Sequence, residues 1–168
     1  MAGPQILRLS VDSGAVAGGF NGAVVFATEA EQRGKMRKEQ QVVYDILGLR
    51  WMTAIYRSTA AEDYAWSWEL TRSSTPFLSA ESGYMDAKEQ DRIFHWAILE
   101  ANDTGQFAHV ERFVEGGPSG YDFPDGYRPE VLHQPRLGCN LRNYGAAGNL
   151  EIIFLMDIIY AKRQVSVE

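Results

Sequence analysis

The residues best suited to chemistry are three histidines, the natural first ligands for a transition metal. His95 and His109 fall in two strand-like runs, 91–101 and 107–115, around Asn102, Asp103, Thr104 and Gly105, which together read as a hairpin turn. Pairing through that turn sets His95 opposite Arg112 and His109 opposite Ile98, on opposite faces. A slip of one residue brings both to one face but leaves them about 13 Å apart at strand rise, too far to share an ion. His133 lies elsewhere, beside Pro135. Hydrogen bonding, not metal binding, is the role expected of all three.

Carboxylates crowd the segment YDFPDGYRPE, with Asp122, Asp125 and Glu130 around two prolines and a glycine. Hard oxygen ligands in such a loop suit calcium. The spacing departs from the alternating order of a calcium loop, and Asp before Pro or Gly is ordinary turn chemistry. Turn chemistry, not calcium, is therefore the role expected of these carboxylates, the 116–127 loop included. The 22 acidic residues supply no recognisable catalytic pair, no serine sits in a nucleophile elbow, and no glycine-rich phosphate loop precedes a helix. No catalytic residue, cofactor or metal is assigned, and the chain is not expected to be an enzyme.

Tyr64, Trp66 and Trp68 alternate along one strand face and could stack against a sugar ring; the same pattern also describes an aromatic core. The one cysteine, Cys139, excludes an internal disulfide and a cysteine-rich zinc site, and within LGCNL it reads as a small buried residue. The net charge of −6 argues against a nucleic-acid binder, RGKMRK (Arg33, Lys35, Arg37, Lys38) being the basic exception. No signal-peptide order opens the chain and no apolar run is long enough for a membrane helix, so a soluble protein made in a reducing compartment is expected.

These residues need a scaffold, and the patterning points to strands. Residues 149–168, NLEIIFLMDIIYAKRQVSVE, form a long β run with Leu150, Ile152, Phe154, Met156, Ile158 and Tyr160 on one face and Ile153, Leu155, Ile159 and Val165 on the other. Water suits neither face. One is expected to close on the core and the other on more protein. Asp157, inside that run, needs a partner such as an arginine, backbone amides or a neighbouring subunit.

Strand patterns also cover 5–11, 42–49, 50–58 and 64–71, with Gly48 as a bend or bulge and 64–71 showing one dry and one wet face. GAVAGGFNGA reads as loop or irregular edge, and TEAE opens a segment, 29–40, that forms either a short polar helix or a charged loop. Residues 72–90 and 116–127 are loops, and Pro135 marks a strand start or edge. Seven to nine strands without βαβ alternation give an all-β, antiparallel two-sheet sandwich, jelly-roll-like, as one domain over 1–168 with 1–40 as an irregular arm.

The stretch PRLGCNLRNYGAAGNLEIIFLMDIIYAKRQVSVE, Pro135 to Glu168, resembles the small coat proteins of tailless icosahedral viruses built on a single jelly roll. The resemblance implies a structural subunit of a virion shell, made in host cytoplasm, without enzymatic activity or cofactor, whose partners are copies of itself and other shell proteins. Ile153, Leu155, Asp157 and Ile159 are the expected interface, with Arg33, Lys35, Arg37 and Lys38 as a peripheral arm. The alternative is a carbohydrate- or receptor-binding sandwich, lectin-like, using Tyr64, Trp66 and Trp68 as a platform for glycan.

Overall fold

A computed structural model of the chain describes residues 3–19, 21–27, 36, 39–57, 64–72, 92–100, 119–145 and 148–165. Among these are ten strands: β1 (Gln5–Asp12), β2 (Val16–Ala17), β3 (Asn21–Phe26), β4 (Val42–Arg57), β5 (Tyr64–Thr71), β6 (Arg92–Glu100), β7 (Ser119–Asp122), β8 (Glu130–Val131), β9 (Arg136–Asn143) and β10 (Asn149–Gln164). They form two antiparallel sheets, ordered β1-β10-β4-β7 and β3-β9-β5-β6, with β2 added to β10 and β8 to β4.

That order is a double-sheet jelly roll. Leaving aside the two-residue strands, the first long strand pairs with the last, β1 with β10. The next pairs inward are β3 with β9, β4 with β7, and β5 with β6. Such a set is one long antiparallel ribbon, and it rolls up when β10 joins β4 and β9 joins β5. No helix occurs among the described residues, and the 29–40 segment falls mostly outside them.

The core lies between the sheets. Leu150, Ile152, Phe154, Met156, Ile158 and Tyr160 from β10 meet Leu7, Leu9 and Val11 from β1, Tyr44, Ile46, Leu49 and Trp51 from β4, and the inner residues of β5 and β9, all buried. Each such large apolar side chain contributes about 1.5–3 kcal/mol by leaving water. β4 runs unbroken over 16 residues, and Gly48 does mark a bulge: Ile159 faces Gly48 while Tyr160 faces Ile46, so Leu47 is the extra residue. The freed Leu47 carbonyl accepts from the Phe123 amide at 2.9 Å, and the Ile46 amide donates to the Pro129 carbonyl at 2.9 Å, tying the 123–129 segment to the sheet.

Two expectations change, and the one for Pro135 holds. The glycine-rich tract, read as loop or irregular edge, holds β2 and the start of β3, and β3 is an edge strand that pairs along its whole length with β9; with β1, these strands build the 5–26 part of the segment read as an arm into both sheets. The face of β5 expected to be wet is dry, because Ser67, Glu69 and Thr71 are buried along with the tryptophans. Pro135 stands immediately before β9, where a missing amide costs no ladder bond.

The chain enters β10 through a stitched turn. The buried Asn143 side chain donates to the Val16 carbonyl at 3.0 Å and accepts from the Gly145 amide at 3.0 Å. Gly148, at φ 92°, supplies the left-handed step that returns the chain into β10.

Candidate functional site

β10 has two apolar faces, and the sandwich uses one. The other looks outward from the first sheet, where register fixes its neighbours. Ile6, Ile159 and Gly48 form one row across β1, β10 and β4; Arg8, Asp157, Arg50 and Gly120 form the next, reaching β7; Ser10, Leu155 and Met52 form a third. Ile6 is 61% exposed and Met52 38%, while Ile153, Leu155 and Ile159 are half-buried, partly sheltered within this face.

Asp157 holds the centre. The Arg8 guanidinium donates to both its carboxylate oxygens at 2.7 Å, from Nε to Oδ1 and from Nη2 to Oδ2. The hydrogen bond first, and the charge second, raise Arg8 above the ordinary guanidinium range. The Asp157 side chain is 23% exposed, so its charge is largely screened by a partner in its own sheet. The partner expected for Asp157 is thus an arginine of the same chain.

Arg50, the other register neighbour of Asp157, turns the opposite way. Its Nη2 binds Asp122 Oδ1 at 2.7 Å and its Nη1 donates to the Leu49 carbonyl at 2.8 Å. Glycine makes this course open: a Cβ at Gly120 would come within 2.5 Å of Arg50 Cδ and 2.8 Å of the Leu49 carbonyl oxygen, and one at Gly48 within 2.5 Å of Asp122 Oδ1. Arg8, Arg50, Trp51, Met52, Leu155 and Asp157 line a shallow depression at the centre of the face. Both its arginines already hold carboxylates.

Charge gathers instead where β10 ends. Arg163 binds Asp45 through Nε at 2.9 Å and Nη2 at 3.0 Å, and also reaches Glu130, while Lys162 binds Glu39 at 2.6 Å. The hydrogen bond to Asp45 is the main cause that raises Arg163, and the one to Glu39 does the same for Lys162. An internally neutralised charged row flanked by apolar residues, with further ion pairs at the end of the strand, has the anatomy of a protein contact surface.

The carboxylates considered for calcium are dispersed, with Asp122 on Arg50, Asp125 on Arg128 and Glu130 on Arg163. No group of three His, Cys, Asp or Glu side chains gathers for a metal among the described residues. His133 Nδ1 lies 2.9 Å from the Gln134 carbonyl, His95 takes the register position beside Glu69, and His109 is outside the described residues.

Of the sequence-derived site, Ile153, Leu155, Asp157 and Ile159 share this outer face. Arg33, Lys35, Arg37 and Lys38 lie outside the described residues, although Met36 between them is buried, its carbonyl accepting from the Gln134 amide at 2.9 Å. The sugar platform is corrected: Tyr64, Trp66 and Trp68 are 1%, 2% and 0% exposed. Trp68 packs 5.3 Å from Phe154 and 5.1 Å from Trp51, and Trp66 lies 6.0 Å from Phe154, so their rings turn inward to the opposing sheet. Sequence reasoning missed Ile6, Arg8, Arg50, Met52 and Asp122. The usable signal was Arg8 itself, a lone cation between the inward residues Leu7 and Leu9.

Neither a protein-family model nor a curated protein matches the chain. Among solved structures it is similar to one from Broad Bean Stain Virus, at 9% identity and a TM-score of 0.34, covering all of this chain and 92% of that one. It is also similar to one from the empty head of Turnip Yellow Mosaic Virus, at 11% identity and a TM-score of 0.30, covering all of this chain and 85% of that one. The jelly-roll assignment rests on the strand order itself. No helix among the described residues is long and apolar enough to cross a membrane.

Proposed function

We propose that the protein is a structural subunit of a symmetric protein shell, a virion component that works through contacts with its own copies and with neighbouring shell proteins and carries out no chemical step. One observation carries the reading: the outer face of the first sheet has apolar residues on either side of a central charged row, and the charges of that row are neutralised within the sheet. A carboxylate inside a contact surface is costly when its partner is missing. Here Arg8 already supplies the partner, so the face can be covered without stranding Asp157. A strand face of Ile153, Leu155 and Ile159 flanked by Ile6 and Met52 gains by losing water. The jelly roll supplies a rigid plate on which to display it.

Light scattering after size exclusion, with electron microscopy of the same fractions, tests this reading. Wild type is expected to form species larger than a monomer as concentration rises, and Ile153→Asp with Leu155→Asp is expected to stay monomeric with an unchanged β-sheet circular dichroism spectrum. A wild-type protein that stays monomeric up to about 1 mM, where contacts of some 4 kcal/mol would register, overturns the proposal.

A further inference from the structure

Outward charges of alternating sign follow one another across the four strands of the first sheet: Arg8 on β1, Asp157 on β10 and Arg50 on β4 share one register row, and Asp122 on β7, two residues beyond that row's Gly120, is joined to Arg50 by its side chain. Read from either end, such a row gives opposite signs at every column. A two-fold axis along the strands, midway between β10 and β4, would lay β1 of one copy over β7 of the next, and β10 over β4. Each positive column would then meet a negative one. The four charges sum to zero in a chain of net charge −6, so copies that repel one another elsewhere are not repelled here.

We propose that this face binds the same face of a second copy across that axis, giving an isologous pair. The inference deepens the shell reading and rests on it for its purpose. Leu155 and Met52 are register neighbours on β10 and β4, so the axis seats each over the other's counterpart in the second copy, an apolar contact beside the charged row. Sheets packed face to face lie about 10 Å apart, which leaves the depression between Arg8, Arg50, Met52 and Leu155 as the space their side chains fill. Strands β1, β10, β4 and β7, of 8, 16, 16 and 4 residues, spaced about 4.8 Å apart, present on the order of 600 Å² per copy, at the low end for a specific interface. The pair is accordingly weak alone, and repetition in a shell strengthens it.

Sedimentation velocity on the full chain tests the row directly. Wild type is expected to show a monomer–dimer equilibrium weakened by salt. Arg8→Asp combined with Asp157→Arg keeps an ion pair between β1 and β10 but makes the row symmetric, so that like charge meets like, and the dimer Kd is expected to rise at least tenfold. Adding Arg50→Asp and Asp122→Arg restores alternation and should restore association.

Cross-linking gives a second readout that does not depend on the swapped variants folding. In a Cys139→Ala background, Leu155→Cys mixed with Met52→Cys and a short bis-maleimide should couple faster than either variant alone. Association of the double swap equal to wild type, or cross-linking no faster in the mixture, overturns the pairing. Electron microscopy separates the two proposals: particles that persist in the double swap remove the pairing and leave the shell, whereas a wild type with neither dimers nor particles removes both.

Discussion

The outer faces of the two sheets reverse the usual relation between polarity and burial. On the first sheet the outward residues in the middle of β10 include the apolar Ile153, Leu155 and Ile159, yet these are only half-buried, and Ile6 and Met52 beside them are exposed. On the second sheet the outward residues of β5 and β9 include Ser67, Glu69, Thr71 and Asn140, and all four are buried. Hydropathy alternation therefore assigns the inner faces of β1, β5 and β10 correctly and says little about what becomes of the outer ones. The first sheet has an apolar face left open, and the second has a polar face already closed.

The sharpest way to break this comparison is to put the wrong charge on the closed face. Glu69 has no exposed surface, and Glu69→Lys would place a cation where a carboxylate has been accommodated. The expected cost is about 3–5 kcal/mol in urea unfolding. The same reversal on the open face, Asp157→Lys, should cost far less in the monomer, because that position still meets solvent. Equal costs at the two positions would show that the faces do not differ in kind.

A smaller effect is expected from Gly120→Ala, which acts on the open face alone. The added Cβ meets a backbone carbonyl as well as the Arg50 side chain, so the β7 edge has to shift. About 1–3 kcal/mol is expected, the ordinary cost of overpacking. The Arg50–Asp122 pair should loosen with it, and salt should then have less influence on association. An alanine variant as stable as wild type would mean that the short β7 strand yields freely.

The interior shared by both sheets calibrates these numbers. Cys139 is buried on β9 opposite Trp68, and burial pushes its thiol well above the ordinary range. A folded-state pKa raised above the unfolded one gives stability that is present below the unfolded pKa and lost as pH rises through it. With an unfolded thiol near 8.5, stability should fall by about 1.4 kcal/mol per pH unit above that point. Cys139→Ala should remove this slope, measured as the difference between wild type and variant in urea unfolding at pH 7.5 and pH 10. A thiol that reacts with iodoacetamide as fast in the folded as in the unfolded protein would contradict its burial.

What could be read from the sequence follows from the range of the interactions involved. The terminal strand, the Gly48 bulge, the aromatic face of β5 and the position of Pro135 depend on residue spacing and local backbone chemistry, and each was legible. The start of β3 was read as loop or irregular edge because Asn21, Gly22 and Ala23 have no hydrophobic pattern of their own; the strand is held at the sheet edge by pairing with β9, over a hundred residues away. The aromatic face of β5 was legible as a face but not as core or platform, since only the opposing Phe154 and Trp51 decide which. Asp157 was legible as a group in need of a partner, with an arginine, backbone amides and a neighbouring subunit all open. Which of these it meets was not, because the β1–β10 register joins positions 149 residues apart.

The smallest expected effect is the most useful for deciding what Asp157 is for. In the monomer its pair with Arg8 lies at a surface where the arginine side chain is 55% exposed, and pairs of that kind are worth about 0–1 kcal/mol. Asp157→Asn should therefore change unfolding by no more than about 1 kcal/mol, while leaving two arginines flanking a neutral residue in the charged row. If the face is solvent-exposed in the working protein, nothing further should happen. If it is covered, Arg8 becomes a cation without its partner in a dry contact, and the loss appears in association, where removing one member of a buried pair is commonly worth 2 kcal/mol or more, about thirtyfold in Kd. Measured on one preparation, a nearly silent unfolding curve beside a marked loss of self-association would place the role of Asp157 between molecules, whereas matching small changes in both would place it within the fold.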